Sequence, residues 1–137
     1  MAWLNATPKP DERSKAADPK FERERVSRIE RLKKDKIPIL MPPNPAPSIV
    51  DRLTEIGMTE AAGMGSAPLS WLTIDAWQRV TGVTIPAWEA RLIRHLSIEY
   101  LTESRRAESE NCPSPWRVQV TQRERDIEQA RLEMVLG

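Results

Sequence analysis

The stretch PLSWLTIDAWQRVTGVTIPAWE, residues 68–89, holds three of the chain's five tryptophans, Trp71, Trp77 and Trp88. Its punctuation is that of two consecutive helices. Ser70 has the side chain of an N-cap, Gly82 is a helix stop, and Pro86 suits the first turn of a restart. Between cap and stop, Trp71, Ile74, Trp77 and Val80 recur along one side. After the restart, Trp88, Leu92, Leu96 and Tyr100 follow at strict i, i+4 spacing, with Ile85, Ile93 and Leu101 widening the stripe. Upstream, Ser48 is placed to cap IVDRLTEIG, where Ile49, Leu53 and Ile56 repeat at helical spacing and Gly57 offers the end. The intervening MTEAAGMGSAP (58–68) reads as a turn-rich connection. Residues 48–107 are therefore expected to form a small Trp-rich three-helix module. The fold class is all-α, close to the lower size limit for folding alone.

Outward from this module the apolar supply is thin. Of 137 residues, 30% are charged, and the mean hydropathy is −0.54. Eight of the twelve prolines lie in residues 1–47, which hold eleven Lys/Arg against seven Asp/Glu. This region reads as a charged, Pro-rich arm and linker. Residues 1–18 carry too little apolar content for a core of their own and are expected to be flexible. A helix is expected from Asp18 as cap and Pro19 as first residue, through KFERERVSRIERLKKDK, with Phe21, Val26, Ile29 and Leu32 on a weak stripe. IPILMPPNPAP (37–47), containing Ile39 and Leu40, reads as extended backbone that links or docks. Residues 108–137 include NCPSPW (111–116), whose prolines break any helix. They end in a short amphipathic helix with a Thr121–Glu124 capping box and apolar Ile127, Ala130 and Met134. Phe21, Ile29, Leu32, Ile39, Leu40, Trp116, Ile127 and Met134 are the candidates for docking on partners.

Little in the chain suggests chemistry. One His and one Cys cannot build a zinc site of the usual kind, and no metal site or cofactor is expected. His95 sits in a helix between Arg91 and Glu99 and reads as a surface or partly packed residue rather than a base. Cys112 cannot form an internal disulfide, which fits a reducing compartment, and no cation follows it closely enough to activate the thiol. No phosphate-binding, dinucleotide or nucleophile-elbow pattern occurs. The chain is not expected to be an enzyme. Neither a secretory leader nor a bilayer-length apolar run is read in it. The run of Arg23, Arg25, Arg28, Arg31, Lys33, Lys34 and Lys36 raises nucleic-acid binding as an alternative. Interleaved Glu22, Glu24, Glu30 and Asp35 favour a solvated helix with internal pairs instead.

The tryptophans carry the remaining signal. Each buries about 150–250 Å² and has an N–H that needs a partner, so they could fill a small core or anchor an interface. Trp71, Ile74, Trp77, Trp88, Leu92, Leu96 and Tyr100 are accordingly expected to build either the core or its binding edge. A minimal core with several segments that order on contact suits an assembly component better than a free-standing catalyst.

Residues 63–101 resemble the downstream, frameshift-encoded part of tail assembly chaperones from long, flexible-tailed bacteriophages. The likeness rests on Gly65, Pro68, Trp71, Ile74, Trp77, Gly82, Glu89, Leu92, Leu96, Tyr100 and Leu101, and covers roughly forty of the 137 residues. It implies a non-enzymatic role in the host bacterial cytoplasm. Its partners would be the tape measure protein, which such chaperones coat, and the tail tube subunits that their downstream segment recruits. Members of that family carry a larger folded upstream domain where this chain has residues 1–47. The alternative is therefore a minor structural protein of tail or baseplate, retained in the virion with its arms on neighbouring structural subunits. Self-association is compatible with either.

Overall fold

The computed structural model describes residues 1–10, 26–116 and 119–137. The helix start expected at Asp18 and Pro19, the Phe21 docking candidate and the first part of the basic run lie outside the described residues. In chain order the elements are α1 (Ala2–Asn5), α2 (Arg28–Lys34), α3 (Pro47–Ile56), β1 (Glu60–Ala62), β2 (Gly65–Ala67), α4 (Trp71–Thr81), α5 (Ala87–Arg106) and α6 (Gln122–Leu136). They fall into two compact units. The first comprises residues 43–106 with Met1 and Ala2, the second residues 3–42 and 107–137.

The all-α expectation is corrected by a hairpin in the first unit. β1 and β2 pair antiparallel, with Glu60 opposite Ala67 and Ala62 opposite Gly65. Only Gly63 and Met64 remain for the turn. Gly63 takes φ +56° while Met64 does not take a positive φ, as a type II′ turn requires. The strands are Glu-Ala-Ala and Gly-Ser-Ala, without the β-branched alternation from which a strand is read, so only the turn shows in the sequence. Side chains outside the ladder secure it. The Glu60 carboxylate accepts from Ser70 and Thr73, and the Arg105 guanidinium reaches the Ser66 carbonyl at 3.4 Å.

Around the hairpin, α3, α4 and α5 bury Ile49, Leu53, Leu69, Ile74, Ile85 and Ile93, with Trp77, Leu92 and Leu96 packed at the margin. The caps of α4 are those expected: Ser70 Oγ accepts from the Thr73 N–H, and Gly82 takes the left-handed conformation at φ +70°. α3 starts two residues earlier than expected, with Ala46 as N-cap and Pro47 in its first turn, so Ser48 lies inside the helix. The buried row of α5 is Glu89, Ile93 and Ser97, one position on from the row marked by Trp88, Leu92 and Leu96. Hydrophobicity marks the neighbouring row, whose Leu92 and Leu96 pack at the core margin, because two of the fully buried positions are polar and satisfied. Glu89 pairs with Arg52 of α3. Ser97, fully buried, donates to the Met58 carbonyl at 2.7 Å and accepts from the Leu69 N–H at 2.9 Å. One hydroxyl thereby fixes the chain on both sides of the hairpin to α5.

The second unit is organised by Arg28, only 8% exposed although it belongs to the charged run. Its guanidinium donates to the carbonyls of Trp3 (3.1 Å), Ala107 (2.6 Å) and Ser109 (2.8 Å). The same group stacks 4.6 Å from the centre of the Trp3 ring. Trp3 in turn meets Trp116 edge to face at 6.0 Å and donates its indole N–H to the Cys112 carbonyl. The Lys9 N–H bonds the Glu108 carbonyl at 2.7 Å, and the two side chains form an ion pair. The region expected to be flexible thus contributes Trp3, buried Leu4 and Lys9 to this unit. α2 begins at a Ser27–Glu30 capping box. It ends with the Lys36 N–H on the Lys33 carbonyl and the Ile37 N–H on the Leu32 carbonyl. That is a Schellman stop, with Lys36 at φ +56° where glycine is usual.

Arg28→Ala leaves three carbonyls without their donor, and a loss of more than about 3 kcal/mol is expected for this unit. Arg28→Lys should lose most of the same energy, because a point charge cannot replace the planar fork. Hydrogen exchange at the Lys9 and Arg28 amides reads the effect directly. Lys36→Gly relieves the left-handed strain and should raise stability by about 0.5–1 kcal/mol in denaturant titration.

Candidate functional site

The cap of α4 fixes where its first tryptophan points. Glu60 Oε2 accepts from the Ser70 N–H at 2.9 Å, the Ser70 hydroxyl at 3.1 Å and the Thr73 hydroxyl at 2.6 Å. The Thr73 hydroxyl first, then the Ser70 N–H, hold the Glu60 carboxyl below its ordinary value of 4.5. This hydrogen-bonded knot joins the hairpin to the helix start and leaves Trp71 next in line, 51% exposed. The guanidinium carbon of Arg94, from α5, stands 5.3 Å from the centre of the Trp71 ring. Its Nε is buried and has no hydrogen-bond partner.

On α5, Trp88, Arg91 and Arg94 follow each other at i, i+3 spacing, so they lie along one ridge that ends at Trp71. Trp88 is 59% exposed. The outer side of α4 adds a second apolar row, Leu72 and Val80, both largely exposed and one on each side of exposed Ala76. The two-indole ridge with its two arginines is the most distinctive surface of the first unit.

The expected core-or-edge residues therefore separate. Ile74 is buried; Trp77, Leu92 and Leu96 are half-buried against the core; Tyr100 is half-buried; Trp71 and Trp88 face outward. The Trp77 indole N–H is buried without an acceptor, the least satisfied position of this core. In the second unit Ile29, Leu32, Ile39 and Trp116 are half-buried and Leu40 is exposed, its carbonyl accepting from the Trp116 indole at 3.0 Å. Ile127 is half-buried on α6, while Met134 is exposed with Leu132, Val135 and Leu136. The α6 capping box forms as the Thr121–Glu124 spacing predicts. The apolar end of α6 is solvated on all sides rather than confined to one face.

Sequence reasoning missed Trp3, Arg28, Arg91 and Arg94. A tryptophan inside an otherwise polar arm is a usable signal for Trp3, since an unpartnered indole there has no purpose in water. The Trp88-Arg91-Arg94 spacing was open to reading as well. Arg28 looks like every other arginine of its run, and nothing local marks it as buried.

Among the described residues no three His, Cys, Asp or Glu side chains gather as a metal site needs. None of the described helices is long and apolar enough to cross a membrane. No family model, curated protein or solved structure matches the chain.

The depressed Glu60 carboxyl stabilises the folded state fully above its unfolded value of 4.5, and that contribution fades as pH falls through the lower folded value. Melting of the first unit, followed at the Ser70 and Thr73 amides by NMR, is thus expected to shift down in acid. Glu60→Gln should lower the melting temperature at neutral pH and flatten this part of the acid dependence.

Proposed function

We propose that this chain is a non-enzymatic protein of phage tail morphogenesis, an assembly chaperone that engages tape measure and tail tube proteins through residues 43–106. The observation that carries the reading is the outward placement of Trp71 and Trp88 on a module whose core is made by isoleucines and leucines. Large indoles left half in water gain from a partner that covers them, and tryptophan is the residue most enriched at interface hot spots. The resemblance of residues 63–101 to the downstream segment of tail assembly chaperones supports tape measure and tail tube proteins as the partners. The exposed apolar end of α6 supports the second reading, a minor structural protein kept in the virion, because a permanent neighbour is what such a surface suits.

Affinity capture from phage-infected cells should enrich tape measure and tail tube proteins, and proteomics of purified particles should lack the chain. Trp71→Ala with Trp88→Ala is expected to reduce the capture at least about tenfold. Presence in mature particles at fixed stoichiometry replaces the chaperone with the virion reading. Capture of neither class of tail protein removes both.

A further inference from the structure

The ridge from Trp88 to Trp71 has a charge imbalance that selects its partner. Arg91 is exposed and has no ion pair among the described residues. Arg94 stacks on Trp71 and keeps an unpartnered, buried Nε. The carboxylates on the same helices face other residues: Asp75 pairs with Arg79, Glu89 with Arg52 and Glu103 with Arg106, and Glu99 stands 3.9 Å from His95. Two cations thus stand between two half-exposed indoles with no acid among the described residues paired to them. On the basis of the protein-binding role proposed above, we infer that this ridge binds an acidic amphipathic helix of a partner protein.

The geometry gives that helix its pattern. Arg91 and Arg94 are three residues apart, or roughly 4.5 Å along the axis. Two carboxylates at i, i+3 or i, i+4 on the partner match this spacing, each able to accept a forked guanidinium. Apolar side chains beside them cover Trp88 at one end and Trp71 at the other. Cation and indole then act together, since the stacked arginine is held in place before the carboxylate arrives.

A nucleic acid also pairs arginine with aromatic rings, but the surrounding charge disfavours it. Residues 43–106 carry six Arg against seven Asp/Glu. A polyanion with a charge on every unit finds no net positive field on such a module, whereas a segment with two placed carboxylates and an apolar face needs only the local pair of arginines and the indoles beside them.

The test uses the full chain and three labelled probes in fluorescence anisotropy at about 150 mM salt, where distant charges are screened. One is a helical peptide of about twenty residues, some 30 Å long, with Leu and Phe on one face and Glu at the i, i+4 positions flanking it. The second carries Lys in place of each Glu, and the third is a single-stranded oligonucleotide of similar length. The acidic peptide is expected to bind, and the basic peptide and the oligonucleotide to bind at least about tenfold more weakly. Arg91→Glu, an exposed change, should weaken the acidic peptide on its own. R91E with R94E should reverse the preference towards the basic peptide, an outcome that loss of folding cannot mimic. Equal binding of the two peptides, tighter binding of the oligonucleotide, or no binding of the acidic peptide each overturns the inference. If tail proteins are still captured from infected cells in any of those cases, the function stands and only this ridge is excluded as the contact.

Discussion

Arg28 donates to three carbonyls that come from two distant stretches of chain, and the second unit exists because those stretches converge on it. With so few apolar side chains available, burial alone cannot hold residues 3–42 against residues 107–137. A planar guanidinium can, because its donors are fixed in a fork and its face still accepts the Trp3 ring. Trp116 closes the other edge of Trp3 and ties itself to the Leu40 carbonyl. Each partner satisfies a polar group and buries an apolar one in the same contact, which suits a chain with little core to spend.

The first unit follows the same economy on a smaller scale. Ser97 closes two backbone groups with one hydroxyl, and Glu89 meets Arg52 at a position that a hydrophobic side chain would ordinarily hold. A half-buried pair of this kind adds little net stability but penalises any packing that separates its members. α3 and α5 are thereby held in one register. The isoleucine and leucine core is completed without Trp71 or Trp88, and that frees both indoles for the surface.

Much of the helical framework was legible from local chemistry. The Ser70 cap, the Gly82 stop, the Pro86 restart and the Thr121–Glu124 box each act within a few residues, so the sequence states them directly. The hairpin was not legible, because alanine and glycine strands are chosen by what anchors them, here Glu60 and the chain around Ser97. The candidate surface was half legible. Tryptophan density marked two helices, but periodicity left Trp88 between core and binding edge, on a helix whose buried row holds a glutamate and a serine. Arg28 lay beyond local reading altogether, since its partners stand 25, 79 and 81 residues away.

Those separations bear on the order in which the chain acquires structure during synthesis. Apart from Met1 and Ala2, the first unit is one continuous stretch, complete once residue 106 has left the ribosome. The second is discontinuous, and its early half has no carbonyls from Ala107 or Ser109 to close upon until the late half emerges. Loops of this length close slowly and at an entropic cost. The contacts around Arg28 therefore carry a large loop-closure cost in the second unit, because they need residues 107–109 beside residues 3 and 28.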